Sequence, residues 1–296
     1  MAHRILILGN RGMLGHMVEH VLASDPAFAV RGVGRAEFDI FSSVIASRGE
    51  AISPLASLNA LLANTDYIIN CIGITTRHIN ENDPASVAQA IHVNAAFPHA
   101  LAAAAAEHGV RVIHMSTDGV FSGNRTAPYA EDDPPDATDT YGRTKILGES
   151  RSPNVLNIRC SIIGPSPHKR EGLWDWVATQ SDGATIDGYT NHLWHGVTTA
   201  QFAELCRRII ADRTFDDLRS TGHILHFAPN APLTKAELGA AIAESVGKRI
   251  SVRPVVHATS IRRALAMRPD LADLSEVFGT DRPLAEALRA CAAVTE

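Results

Sequence analysis

The sequence predicts an α/β fold: a doubly wound parallel sheet followed by a smaller C-terminal α/β lobe. Three observations lead there. Short β-branched and aliphatic runs alternate with longer helical patterns through the first half, the rhythm of right-handed βαβ crossovers. A glycine-rich loop joins the first such run to the first helical stretch. After Gly164 the pattern turns irregular through Pro165, Pro167, Gly172, Gly183 and Gly188, and helical spacing then returns at Thr198. The 296 residues, 45% of them apolar, suffice for one large domain or two smaller ones.

Taken in order, Arg4–Leu8 reads as a strand and Met13–Ala23 as a helix with one apolar face. Further strands are expected at Val30–Val33, Tyr67–Cys71, Arg111–Met115 and Leu156–Arg159. Val87–His108 reads as one long helix or two abutting ones, with Pro98 marking a bend and the alanines at 102–106 allowing close approach to the sheet. A helix is expected over Thr198–Ala211, a strand over His223–Ala228, and a helix over Lys235–Val246 with Thr234 as its N-cap. The expected division is a larger domain of residues 1–164, to which 196–228 return, and a smaller substrate lobe of residues 165–195 and 229–296.

Composition narrows the function. With 27 basic against 32 acidic residues, a formal charge of −5 and no basic run, nucleic acid is not an expected partner. Cys71, Cys160, Cys206 and Cys291 form no CxxC pair, and the 14 histidines are scattered without an HExxH motif, so no metal is expected. The early apolar stretch Ile5–Leu8 is too short for a signal peptide or membrane span. A cytoplasmic protein with no membrane partner is the expectation.

The loop Gly9-Asn10-Arg11-Gly12-Met13-Leu14-Gly15 is a GxxGxxG variant of the dinucleotide fingerprint and makes the predicted fold Rossmann-type. Glycine permits the tight strand-to-helix turn and close backbone approach to a pyrophosphate, and the helix N-terminus offers donors. An acidic residue after the second strand would hold a ribose diol, whereas arginine can accept a 2′-phosphate. Here Gly34-Arg35 stands there, which favours NADP, with NAD as the alternative. Asp39 and Ile40 are placed to meet the adenine, and Cys71-Ile72-Gly73 ends the third strand where the backbone can approach the cofactor.

Tyr141 and Lys145 stand four residues apart, one turn along a helix face. An ammonium beside the phenol would lower its pKa from about 10 and so assist proton exchange with a carbonyl or alcohol oxygen. Lys145 is also placed to hold the nicotinamide ribose. Ser116-Thr117-Asp118 follows a strand at its carboxyl end, where open parallel sheets place their crevice. Thr117 is the expected catalytic hydroxyl, and one of Ser116 and Thr117 is expected to cap the next turn.

With these residues in view, the chain resembles an extended short-chain dehydrogenase/reductase, specifically the dTDP-4-dehydrorhamnose reductase family. The resemblance runs nearly the full length, through Gly9–Gly15, Asn70–Gly73, Val93-Asn94, Ser116–Gly123, Tyr141–Glu149 and Arg159–Gly164. It implies Thr117, Tyr141 and Lys145 as catalytic hydroxyl, acid and lysine; Gly9, Gly12, Gly15 and Arg35 as the cofactor grip; and Asn94 beside the cofactor. It further implies reduction at C4 of a nucleotide-linked 4-keto-6-deoxyhexose by NADPH, and it is compatible with a homodimer. Two departures bear on the sugar: Gly119 replaces a common aromatic residue, and Ser161-Ile162-Ile163 replaces a Ser-Trp. A UDP-linked 2-acetamido-2,6-dideoxy-4-hexulose is therefore an alternative substrate. An epimerase or dehydratase, or a non-catalytic NADP-binding regulatory subunit, is an alternative role.

Asn191 and Trp194 are expected as substrate contacts, and Trp174 and Trp176 as packing for the smaller lobe. Glu131-Asp132-Asp133 reads as a solvated loop near the rim of the site.

Overall fold

The computed structural model describes residues 2–40, 54–168, 170–272 and 284–294. Strand β1 (His3–Leu8) is followed by α1 (Met13–Ala23) and β2 (Phe28–Val33). Helix α2 (Pro54–Leu62) then leads to β3 (Tyr67–Asn70). Helix α3 (Pro84–Ile91) runs through a π-helical turn, His92–Ala96, into α4 (Phe97–Glu107). Strand β4 (Arg111–Met115), α5 (Thr140–Gly148), β5 (Val155–Arg159) and the short β6 (Ser161–Ile163) complete the first half. The central sheet has the order β10-β5-β4-β3-β1-β2, where β10 is Ile224–His226, and every pairing in it is parallel. This is the predicted Rossmann-type arrangement.

The alternation of side chains explains why these strands lie between two helical layers. Ile5, Ile7, Ile69, Ile113 and Leu156 pack on one face with Met17, Val18 and Leu22 of α1. Leu6, Leu8, Ile68, Val112 and Val155 pack on the other, with Phe97, Leu101 and Ala105 of α4. Ile5, Leu6, Ile7 and Leu8 are at most 2% exposed, and each contributes about 1.5–3 kcal/mol of burial.

The expected bend near Pro98 is the π-helical turn just before it. Pro98 has no N–H to offer the helix. The Asn94 carbonyl lies against α5, where a Cβ added at Gly148 would come within 2.0 Å of it. Gly148 thus allows the two helices to touch at that carbonyl.

The second half begins with α6 (Leu173–Ala178), then β7 (Thr185–Tyr189), β8 (His192–Trp194) and β9 (Gly196–Thr198). Helix α7 (Thr199–Ala211) contributes Phe202, Leu205 and Ile209 to the core cluster that also holds Met17 and Leu22 of α1. After α8 (Phe215–Thr221), β10 adds itself to the sheet beside β5. Then β11 (Leu233–Thr234) enters α9 (Lys235–Ser245), where Thr234 and Glu237 form a reciprocal capping box, as the N-cap expectation required. Strands β12 (Ser251–Val255) and β13 (Ile261–Arg262), with helices α10 (Pro269–Ala272) and α11 (Leu284–Ala293), end the described chain. β12 pairs with β7, and β8 lies between β11 and β13. Among the described residues, no helix is long and apolar enough to cross a membrane, and no group of His, Cys, Asp and Glu could hold a metal ion.

Candidate active site

The strand order changes direction between β1 and β3, and the loops that leave these two strands meet at their carboxyl ends, where such sheets bind ligands. Gly9 has φ +83°, a left-handed conformation suited to glycine, and a Cβ on it would crowd Ile72 and the Cys71 carbonyl carbon. A Cβ at Gly15 would lie 2.2 Å from the Gly9 carbonyl oxygen, so α1 can start this close to β1 only with glycine there. Helix α1 begins after Gly12 with no side-chain cap. The Asn10 amide donates to Glu19 at 3.0 Å, while its buried Oδ1 has no partner. Leu14 is buried and Arg11 is exposed at the loop's outer edge.

On the neighbouring strand, Thr117 caps the short turn Asp118–Val120 by accepting from Gly119 N–H at 3.0 Å. Its hydroxyl also donates to Asp118 Oδ1 at 3.2 Å, and it shares the space beside Gly119 with the Tyr141 ring. Gly142 makes that meeting sterically feasible, because a Cβ there would lie 2.4 Å from the Gly119 carbonyl oxygen. Asp139 caps α5 by accepting from Gly142 N–H at 2.8 Å, fixing where the Tyr141 turn begins. Ser116 turns away and donates to Glu149 Oε1 at 2.6 Å.

Burial pushes the Tyr141 phenol up to about 12, the nearby Thr117 hydroxyl opposing it. This differs from the expectation that Lys145 would lower it. The lysine is turned toward β4, where Nζ donates to the Met115 carbonyl at 2.6 Å and lies 3.4 Å from His114 Nε2. Burial pulls Lys145 down to about 8, with Glu149 foremost in pulling the other way. Cys71 is a neutral thiol, pushed up to about 12 by burial.

At the end of β2, Arg35 and the half-buried Asp39 form an ion pair at 3.4 Å, and Ile40 is buried. Gly34 N–H donates to Glu37 at 2.8 Å. Ile72 and Gly73 lie in the loop after β3, Gly73 exposed.

Three expected contacts have their polar groups engaged or their rings packed within the protein. Asn94 is 1% exposed and braces the loop after β3, accepting from Ile74 N–H at 2.8 Å and donating to the Ile74 carbonyl and to Thr144 Oγ1. Both of its amide hydrogens and its Oδ1 are engaged within the protein. Asn191 is likewise occupied, donating to the His257 and Thr259 carbonyls and accepting from His257 N–H. Trp194 is 2% exposed and packs in the main core. Of the other tryptophans, Trp174 is buried as expected and Trp176 is exposed. The acidic loop is also not solvated throughout: Glu131 is largely buried and accepts from His226 N–H at 2.8 Å.

A profile of the RmlD substrate binding domain matches residues 3–281. The chain belongs to this family. A dTDP-4-dehydrorhamnose reductase of Mycolicibacterium smegmatis is 34% identical over 193 residues, 64% of this chain and 53% of that protein. A second reductase match covers 50% of its relative, so the chain spans about half the length of these two proteins. Methionine adenosyltransferase 2 subunit beta of Rattus norvegicus is 26% identical over 283 residues, 92% of this chain and 80% of that one. A dTDP-4-dehydrorhamnose reductase of Bacillus anthracis, solved in complex with NADP, shares the fold with a TM-score of 0.75 at 18% identity, covering 100% of both chains.

In this RmlD-family chain the sequence reading passed over His114, Glu149 and Arg159 as components of the site. Each is a polar residue buried beside the Tyr141 helix. The available signal was their setting: His114 interrupts the aliphatic run Arg111–Met115, and a polar residue inside a two-faced parallel strand needs a partner.

Proposed function

We propose that this protein is an NADPH-dependent reductase of the C4 ketone of a nucleotide-linked 4-keto-6-deoxyhexose, serving polysaccharide precursor synthesis. The observation that carries this reading is the placement of Thr117 and Tyr141 on either side of Gly119 after β4, with burial pushing the phenol up to about 12. An acid that is loaded at rest suits giving a proton to a ketone oxygen as carbon is reduced. Family membership and the 34% identity to a dTDP-4-dehydrorhamnose reductase support the same reading.

The residues around the glycine loop fit a dinucleotide. Gly15 holds α1 against β1, the uncapped start of α1 presents backbone N–H groups, and Asn10 Oδ1 is a buried acceptor awaiting a donor. Bound there, the dinucleotide supplies the hydride. Arg35 holds the 2′-phosphate end and Lys145 the nicotinamide ribose. Tyr141 Oη gives its proton to the carbonyl oxygen, and the Thr117 hydroxyl orients that oxygen. A UDP-linked 2-acetamido-2,6-dideoxy-4-hexulose is the alternative sugar, because Gly119 leaves the Tyr141 ring without a bulky neighbour at that position.

The test is NADPH oxidation with dTDP- and UDP-linked 4-keto-6-deoxy sugars supplied one at a time. Turnover names the sugar. Tight NADPH binding without turnover on any of them overturns the reductase and favours a regulatory subunit, the role that the 92% overlap with methionine adenosyltransferase 2 subunit beta suggests. Arg35→Ala is expected to weaken NADPH about tenfold, roughly the 1.4 kcal/mol of one charge-assisted contact. NADH should be little affected, and calorimetry that finds equal losses removes Arg35 from phosphate recognition.

A further inference from the structure

Asn70, His114 and Asn157 occupy matched positions on three adjacent strands, so one row of polar side chains crosses an otherwise aliphatic sheet. All three are at most 1% exposed. Burying such groups is costly unless they are hydrogen-bonded, and the partners of Asn70 and His114 fix where each proton sits.

Asn70 Oδ1 accepts from Ile72 N–H at 3.2 Å, which determines which end of the amide faces β4. The Asn70 amide nitrogen therefore meets His114 Nδ1, at 3.0 Å, and donates to it. A ring nitrogen that accepts carries no proton, so the neutral imidazole keeps its single proton on Nε2. Burial holds His114 well below the ordinary histidine range, in its neutral form. Nε2 faces Lys145 Nζ at 3.4 Å. An ammonium has three donors and no lone pair, whereas a neutral amine has a lone pair to offer.

We propose that His114 is a positioning residue whose Nε2–H faces Lys145 Nζ and disfavours its ammonium form in the cofactor-free protein. The groups facing Lys145 are His114 and the Met115 carbonyl on β4, Cys71 after β3, and Glu149 one turn along α5; His99 on α4 acts on His114. Glu149 favours the ammonium, but Ser116 and Arg159 already engage both its oxygens. Cys71, as a neutral thiol, adds no charge. The consequence for turnover rests on the reductase reading, in which the ligand's hydroxyls would replace His114 as the partner of Lys145 and favour its ammonium form, any proton it gains coming from solvent. The protonation itself rests on the hydrogen bonds alone.

Nitrogen-15 NMR of the full-length, histidine-labelled protein is expected to show an unprotonated Nδ1 and a protonated Nε2 at His114. A proton on Nδ1 overturns the inference. Lysine-labelled protein, followed at the Lys145 ε-carbon through a pH titration, tests it a second way. His114→Gln can turn a carbonyl oxygen toward Nζ and should raise the Lys145 midpoint by about one pH unit. An unchanged midpoint in a folded His114→Gln protein overturns the inference, and if that variant does not fold, the tautomer in the native protein decides. A raised midpoint in a protein that reduces no sugar supports the inference and counts against the reductase alone.

Discussion

Two buried polar networks lie side by side on the same face of the sheet, and they are matched differently. Beneath β5, Arg159 donates to both oxygens of Glu149 at 2.7 Å, and Ser116 donates to Glu149 Oε1. His226 Nδ1–H donates to the Ala266 carbonyl at 3.1 Å, leaving Nε2 to face Arg159 at 3.4 Å. Every donor there has an acceptor, and the network ties α5, β5 and β10 together. Around β4, His114 is held in the opposite tautomer, and its Nε2–H has only a lysine to face. The difference separates two uses of one buried layer: a balanced set of donors and acceptors holds the fold, and the imbalance falls on the side that the proposed reductase would use to exchange protons.

The largest effect that sharpens the contrast is expected at Tyr141. Tyr141→Phe removes the acid and should lower turnover by about 10²- to 10⁴-fold while leaving NADPH affinity and thermal stability nearly unchanged. Turnover within a few fold of the parent would move the acid elsewhere. On the balanced side, Arg159→Met leaves Glu149 buried and unpaired and should cost about 3–5 kcal/mol in denaturant unfolding. A loss below about 1 kcal/mol would show that the Arg159–Glu149 pair is not what holds α5 to β5.

The smallest expected effect is a pH dependence. Burial, then the charge of Arg159, lowers His226 from an ordinary 6.5 to about 4. Its neutral form is thus favoured by the fold, and the stability it contributes is fully present above pH 6.5 and lost as the pH falls through 4. The contribution is up to about 3 kcal/mol. Denaturant midpoints at pH 7 and pH 4.5 should converge in His226→Gln relative to the parent, and an identical pH slope in both proteins would assign the acid sensitivity to other groups.

Much of the first half was legible in the sequence. Helix α1 occupies the expected Met13–Ala23, and the strands that lead into Gly9 and Thr117 and the one that carries Asn70 end within a residue of their expected limits. Long apolar periodicity and a capped or glycine-bounded end make such elements readable. The second half was less so, because strands of two or three residues such as β8 and β13 exist only through pairing with distant segments. Asn191 and Trp194 show a second limit. Their residue types suit ligand contact, but a sequence does not say whether an amide is already bonded or an indole already buried. The places of Arg35 and Thr117 were readable because both follow strand ends, which the pattern supplies.

The close approach of Gly148 to the Asn94 carbonyl has a consequence for building hybrids of this chain with its relatives. The carbonyl lies where any side chain at position 148 would stand, so α5 and the π-helical turn must be inherited together. A crossover placed between residues 107 and 140 takes them from different parents. If the incoming segment carries anything larger than glycine at 148, the helix bearing Tyr141 and Lys145 is displaced, and both reactive side chains move with it. Crossovers after residue 148 keep the two helices from one parent and leave their fit intact.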